Sequence, residues 1–265
     1  MARRTRLDAE LVRRGLARSR EHAAQLVAEG RVRLRGAVAA KAAAMLDPAD
    51  PVLVVEGVDE YVSRGAHKLI GALDAFAEDG LAVAGRRCLD AGASTGGFTE
   101  VLLRHGAAGV VAADVGYGQL AWSLRTDDRV TVLERTNVRT LTPDDLGGPV
   151  DVTVADLSFI SLRLVLPALA ACTVPDGDVV PMVKPQFEVG RELVGRGGVV
   201  RDPGLRLRAV LDVATAADEL GLGVAGVTIS PLPGPSGNVE FFLWLRRDAP
   251  PVDPAQVAAT VGADQ

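Results

Sequence analysis

The chain has 265 residues, 48% of them hydrophobic and 24% charged, with a net charge of −5 and only three lysines among 29 basic residues. That composition supports a buried core and excludes a disordered or fibrous chain. No apolar run reaches the roughly 18 residues of a membrane span, and Met1 to Arg6 leads into a patterned helix, not the apolar core of a signal peptide, so a cytoplasmic protein away from membranes is expected. Cys88 and Cys172 have neither metal-ligand spacing nor a secretory context, which predicts buried thiols and no metal site.

Charge is distributed unevenly. Residues 1–58 carry ten arginines and one lysine against seven acids, a surplus of +4 that leaves −9 for the remainder. A basic unit preceding an acidic one points to a polyanion as partner of the first. Its pattern predicts two short helices and a hairpin. Leu7, Leu11 and Val12 share one helical face and Ala23, Leu26 and Val27 the next; Ser19 stands at an N-cap and Gly30 at a C-cap. Val32 and Leu34 then alternate with Arg31, Arg33 and Arg35 up to a turn at Gly36, and Val52 to Val55 reads as a strand.

Through Arg6-Leu7-Asp8, Gly15-Leu16-Ala17-Arg18-Ser19-Arg20 and Gly30-Arg31-Val32-Arg33-Leu34-Arg35-Gly36, this segment resembles the alpha-L RNA-binding module named after small-subunit ribosomal protein four. The resemblance implies structured-RNA binding through Arg4, Arg6, Arg18 and Arg20 and, on the hairpin, Arg31 and Arg33. Residues 59–68 are read as a linker, 69–247 as the second domain. The tail, 248–265, has three prolines and little apolar pattern, and poor order is expected there.

From Gly85 onward, apolar strands alternate with helical stretches: Cys88 to Ala91, Val110 to Asp114, Val130 to Leu133, Val152 to Asp156 and Asp178 to Lys184. This rhythm predicts a parallel α/β sheet. Two further strands, Val224 to Ile229 and Val239 to Leu245, follow a helix from Pro203 to Leu220. The terminal hairpin resembles the end of a class I, Rossmann-like methyltransferase sheet of seven strands.

The first of these strands runs through Asp90 into Ala91-Gly92-Ala93-Ser94-Thr95-Gly96-Gly97-Phe98-Thr99. The glycines allow close backbone approach at the carboxyl edge of a sheet, where ligands collect. The spacing is neither that of a dinucleotide fingerprint nor that of a phosphate-binding loop, and a carboxylate at Asp90 suits a cationic ligand better than a pyrophosphate. Asp114 ends the second strand, placed to take a ribose diol. Together these resemble the S-adenosylmethionine site of class I methyltransferases, which implies Asp90, Gly92, Ser94, Thr95, Gly96, Gly97 and Phe98 near the methionine part, Asp114 on the ribose and Asn137 on the adenine side.

Two of the three lysines, Lys68 and Lys184, stand beside patterned segments where arginine would serve any purely structural purpose. An amine can surrender its proton where a guanidinium cannot. Asp156 ends the fourth strand, Lys184 the fifth, and Glu240 lies in the last. Lys68, Asp156, Lys184 and Glu240 resemble the Lys-Asp-Lys-Glu tetrad of FtsJ-like ribose 2′-O-methyltransferases. A ribose hydroxyl is a poor nucleophile at neutral pH, so such an enzyme holds it in line and helps its proton leave. Lys184, its hold on a proton weakened by Lys68, is expected to accept or polarise that proton while Asp156 and Glu240 fix its geometry.

Further matches at Ser63-Arg64-Gly65-Ala66-His67-Lys68, Ala155-Asp156-Leu157-Ser158-Phe159-Ile160-Ser161, Val183-Lys184-Pro185-Gln186-Phe187-Glu188 and Pro231 to Glu240 resemble the TlyA ribosomal RNA methyltransferases, a family also labelled hemolysin A. The resemblance implies 2′-O-methylation of cytidine in 16S or 23S rRNA, with ribosomal subunits as partners, and susceptibility to capreomycin-type antibiotics; a monomer is expected. One departure is the linker, which begins Glu60-Tyr61-Val62 where actinobacterial relatives tend to carry Arg-Ala-Trp-Val. Three rival readings remain: a membrane-lytic hemolysin, a ribosome-assembly factor with a dead methyltransferase fold, and a methyltransferase acting on a base or a small molecule. The first lacks a spanning or strongly amphipathic segment, and the four ionisable residues argue against the second. Asp156-Leu157-Ser158-Phe159 is not the Asn/Asp-Pro-Pro-aromatic segment common in amino-group methylation.

Overall fold

A computed structural model describes residues 4–28, 30–55, 61–195, 197–234 and 236–262. The chain divides into two compact units, Met1–Glu60 and Tyr61–Gln265. The expected boundary at Val58 and the first linker residues, Asp59 and Glu60, lie outside the described residues.

In the first unit β1 (Thr5–Arg6) leads into α1 (Leu7–Arg13), followed by α2 (Arg20–Ala28), β2 (Val32–Leu34), β3 (Ala37–Val38), β4 (Met45–Leu46) and β5 (Val52–Val54). Strand β1 pairs with β4, and β2 is the middle of a three-stranded antiparallel sheet with β3 and β5. Leu7, Leu11, Ala23, Leu26 and Val27, as their 3.6-residue spacing predicts, form its core together with Val32 of β2. Ser19 Oγ accepts the His22 backbone N–H at 3.1 Å, the N-cap bond. Arg35 and Gly36 both take positive φ, 54° and 84°, in the two-residue turn between β2 and β3.

Several arginines of this unit are engaged internally. The buried Asp8 carboxylate pairs with Arg6 at 2.8 Å and Arg20 at 3.0 Å; the hydrogen bond from Arg6 holds it well below the usual carboxylate range. Glu10, also buried, pairs with Arg13 at 2.6 Å and Arg14 at 2.7 Å. Arg31 donates to the Val55 carbonyl at 3.2 Å. Arg4, Arg18 and Arg33 are exposed.

The second unit begins with Tyr61, so residues 61–68 of the expected linker belong to it. Tyr61 lies under the Arg104 guanidinium at 4.1 Å and the Val62 N–H donates to Glu100 at 2.6 Å. Its elements are α3 (Ala66–Ala77), β6 (Arg87–Ala91), α4 (Gly97–Arg104), β7 (Gly109–Ala113), α5 (Trp122–Arg125), β8 (Val130–Leu133), β9 (Val150–Ala155), α6 (Leu166–Cys172), β10 (Thr173–Val183), α7 (Pro185–Glu188), α8 (Pro203–Asp218), β11 (Gly223–Ile229), β12 (Phe241–Arg246) and α9 (Pro254–Gly262). The strands form one sheet in the order β11-β12-β10-β9-β6-β7-β8. Only β12 runs against the others.

Alternation along the strands divides the core into two layers. Phe242 and Trp244 of β12 face the side covered by α3 and α4; Phe241, Leu243 and Leu245 face that covered by α6, α8 and α9. Cys88 and Cys172 are buried, and burial pushes their thiols up to about 12 and about 11, so they are inert. Strand β10 starts at Thr173, earlier than the pattern indicates, with a register shift before Asp178.

The described part of the tail, residues 248–262, corrects the expectation of poor order. Pro254 opens a nine-residue helix, α9, whose Val257 and Val261 are buried in the layer of α8 and β11. Proline at a first helical position is compatible with a helix, and an i, i+4 pair of valines suffices to bury one face.

Candidate active site

Sheet order reverses between β6 and β9: β6 continues to β7 and β8 on one side, while β9 continues to β10 on the other. A crevice opens at the carboxyl ends of strands at such a point, and the expected residues gather there. Asp90 lies within β6; Asp114, Asp156 and Lys184 each follow the last residue of β7, β9 and β10. Glu240 immediately precedes β12, whose Phe241 pairs with Val183. The antiparallel β12 therefore begins where β10 ends and brings Glu240 to the same edge as Lys184.

The turn after β6 is shaped by close packing. Gly92 has φ +91°, and a Cβ there would fall 2.5 Å from the Asp156 carbonyl oxygen. A Cβ at Gly97 would fall 2.3 Å from Ser63 Oγ. Ser63, Gly65, Gly92, Ser94, Thr95 and Asp156 are among the lining of a cavity of about 110 Å³ beside this turn. Asp90 is completely buried. One carboxylate oxygen accepts the Thr99 hydroxyl at 2.6 Å; the other, Oδ1, has no hydrogen-bond partner among the described residues. Burial, aided by the charges of Asp156 and Asp114, pushes this carboxyl up to about 7.

Asp114 accepts the Ser94 N–H at 2.8 Å and the Gly116 N–H at 2.6 Å, which fixes its carboxylate while leaving further lone pairs available. A neighbouring pocket is lined by Asp114, Gln119, Leu120, Val132 and Glu134, among others. Asn137 is not in that lining; its amide oxygen instead caps the turn that follows, accepting the Arg139 N–H at 3.0 Å. Phe98 is a core residue as well as a wall of the cavity, 6.1 Å from Phe242.

The four ionisable residues form two close pairs. Lys68 Nζ lies 2.5 Å from Glu240 Oε2, and Lys184 Nζ lies 2.5 Å from Asp156 Oδ1. Both lysines and Glu240 are buried. Glu240 thus holds Lys68, and Asp156 is the carboxylate that holds Lys184, a division the sequence expectation did not make. Lys184 also donates to Ser158 Oγ at 3.0 Å. Beside it opens a groove of about 480 Å³, lined by Phe159, Ile160, Gln186, Phe187 and Arg191 among others. The Phe159 ring is 92% exposed and its backbone has φ +63°, a rare conformation for a bulky residue and one that clusters at functional sites.

An unpartnered buried carboxylate oxygen, a glycine turn without room for a Cβ and a strand-end acid suit a cationic ligand bearing a ribose better than a pyrophosphate. Fold and site define a class I S-adenosylmethionine-dependent methyltransferase. Residues 61–247 match the FtsJ-like methyltransferase model and residues 5–52 the S4 domain. The 16S/23S rRNA (cytidine-2′-O)-methyltransferase TlyA of Mycobacterium tuberculosis is 68% identical over 93% of this chain and 91% of its own. The 23S rRNA (cytidine-2′-O)-methyltransferase TlyA of Campylobacter jejuni is 34% identical over 75% and 78%. A solved structure from Streptococcus thermophilus that carries a hemolysin label superimposes with a TM-score of 0.77 at 39% identity, covering 99% of this chain and 96% of that one. The chain belongs to the FtsJ-like methyltransferase family and, within it, to the TlyA group of rRNA methyltransferases. It is an enzyme, and its cofactor is S-adenosylmethionine.

Sequence reasoning missed Ser158, Gln119 and Glu134 at the site and Glu188 and Asn238 around it. Glu188 is buried and accepts Ser161 Oγ at 2.5 Å and the Leu162 N–H at 2.8 Å. Asn238 braces the segment before α8, accepting from Val200 N at 2.9 Å and donating to the Gly198 carbonyl at 2.8 Å. Buried polar residues in a motif were the available signal for Glu188; the partners of the others are visible only in three dimensions.

Proposed function

We propose that the chain methylates the ribose 2′-hydroxyl of cytidine in ribosomal RNA within ribosomal subunits. The observation that carries this reading is the pair of lysine–carboxylate contacts at one sheet edge beside the glycine turn. S-adenosylmethionine, when bound, supplies a methyl group already activated by its sulfonium, so the protein's part is alignment and proton removal. Asp90 and the turn from Gly92 to Gly97 would hold the methionine part, the first turn of α4 presenting backbone N–H groups to its carboxylate. Asp114 would take the ribose diol and the pocket at Gln119, Leu120 and Glu134 the adenine side.

Lys184 receives or polarises the 2′-hydroxyl proton, with its amine oriented by Asp156. Lys68 and Glu240 neutralise each other in the dry wall of the crevice, each supplying the partner a buried charge requires. The groove beside Phe159 and Phe187 admits the nucleotide, and exposed aromatic rings stack bases without regard to sequence. The basic first unit contributes RNA affinity through phosphate contacts from its exposed arginines. The cytidine and the rRNA are argued from the M. tuberculosis and C. jejuni relatives, whose names differ on whether 16S rRNA is included. On the same reading, loss of the mark lowers susceptibility to capreomycin-type antibiotics.

The test is methyl transfer from labelled S-adenosylmethionine to rRNA and to isolated subunits by the purified protein, followed by nucleoside analysis. Label in 2′-O-methylcytidine is expected. Label in a base-methylated nucleoside would overturn the reading.

A further inference from the structure

The loop after β9 carries two features that the proposed chemistry leaves unused: a hydroxyl on Lys184 and a strained backbone beside it. Lys184 Nζ touches two groups, Asp156 Oδ1 at 2.5 Å and Ser158 Oγ at 3.0 Å. Both come from the segment that follows β9, whereas Lys184 follows β10. An amine nitrogen has three positions beyond its carbon, filled by three hydrogens when charged and by two hydrogens and a lone pair when neutral. The Asp156 contact is a close ion pair whose Oδ1 takes no hydrogen bond, whereas Ser158 Oγ accepts a directed one. The ion pair places the amine and the hydroxyl sets its rotation, which leaves a defined position for a hydroxyl entering from the groove.

The loop is braced to keep that second acceptor in place. Phe159, next to Ser158, is held at φ +63°, a conformation that persists only where its surroundings impose it. Its ring lies 5.3 Å from Phe187, three residues beyond Lys184. On the far side of the loop, Glu188 of α7 accepts Ser161 Oγ at 2.5 Å and the Leu162 N–H at 2.8 Å. The loop after β9 is therefore fastened to the helix after β10 at Phe159, Ser161 and Leu162, directly after Ser158.

We propose that Ser158 is a positioning residue of the methyl-transfer reaction: its hydroxyl, presented by the braced loop, fixes the rotation of the Lys184 amine so that the free position faces the substrate hydroxyl. The proposal rests on the reading of Lys184 as the proton-handling group. The groups facing that amine are Asp156 and Ser158 from the β9 side and the Phe187 ring, 5.9 Å away, from α7; Glu240 at the start of β12 is taken by Lys68. Ser158 is itself exposed, so loss of its hydroxyl leaves no buried cavity.

The experiment uses the full chain, S-adenosylmethionine and rRNA, with Ser158→Ala, Ser158→Thr and Lys184→Met compared against the unaltered protein. Ser158→Ala should lower kcat by about threefold to tenfold, the weight of one hydrogen bond, with KM for RNA and Kd for the cofactor unchanged. Ser158→Thr, which keeps the hydroxyl, should restore kcat. A wild-type kcat in Ser158→Ala would overturn the proposal, as would a loss confined to KM or to cofactor binding. If Ser158→Ala behaves like wild type while Lys184→Met is inactive, only the role of Ser158 falls. Full turnover in Lys184→Met would remove the reading of Lys184 and this proposal with it.

Discussion

Lys184 and Asp90 each carry a prediction at a single position. In the proton-handling role proposed above Lys184 acts through an amine that can release a proton, so Lys184→Arg should keep the fold and cofactor affinity yet lose methyl transfer by about 10² to 10⁴, the usual weight of one placed acid–base group. Methyl incorporation into rRNA at saturating cofactor checks this. Asp90 makes a pH prediction. Its folded carboxyl lies near 7, above the unfolded value, so the folded state binds the proton more tightly. Asp90 therefore favours folding below about pH 4, and that contribution is lost as pH rises through about 7. Asp90→Asn should accordingly gain thermal stability relative to the unaltered protein as pH is raised from 5 to 8, while binding S-adenosylmethionine more weakly. Thermal melts across that range, with calorimetric titration of cofactor, decide both. Lysine scarcity located Lys68 and Lys184 in the sequence because composition makes an exception visible. Ser158 could not be found that way: it lies 26 positions from its partner, and serine is common in turns.

Among elements, the strands of the second unit were legible because parallel strands buried on both faces read as short apolar runs between helices. Asp90, Asp114, Asp156 and Lys184 each lie in or one position beyond such a run, whereas Glu240 precedes β12 and Lys68 lies in α3. Two elements were not legible. The start of β10 is hidden by Val174-Pro175-Asp176-Gly177, turn-forming residues that the sheet absorbs through a register shift. Helix α9 was hidden by Pro250 and Pro251 before it and Pro254 at its start. Its worth is measurable: Val257→Ala removes two buried methyl groups and should cost about 2 kcal/mol in urea or guanidinium unfolding. If α9 adds nothing to the core, the substitution will be silent.

For the whole molecule, division of the chain into a basic and an acidic part was written in its charge, and the two compact units follow it. Charge alone does not show that Arg6 and Arg20 share Asp8 or that Arg13 and Arg14 share Glu10. A buried acid neutralised by flanking arginines cannot be told from an exposed one by composition. With the division of labour proposed above, residues 61–265 alone should bind S-adenosylmethionine with unchanged affinity but methylate rRNA far more slowly. Transfer of a methyl group to the 2′-hydroxyl of cytidine in rRNA can be read by mapping 2′-O-methyl marks across the rRNA of cells with the gene, without it, and with Lys184→Arg in its place. At least one cytidine mark is expected only with the unaltered gene; identical maps in all three, or a difference confined to base methylation, would rule that transfer out.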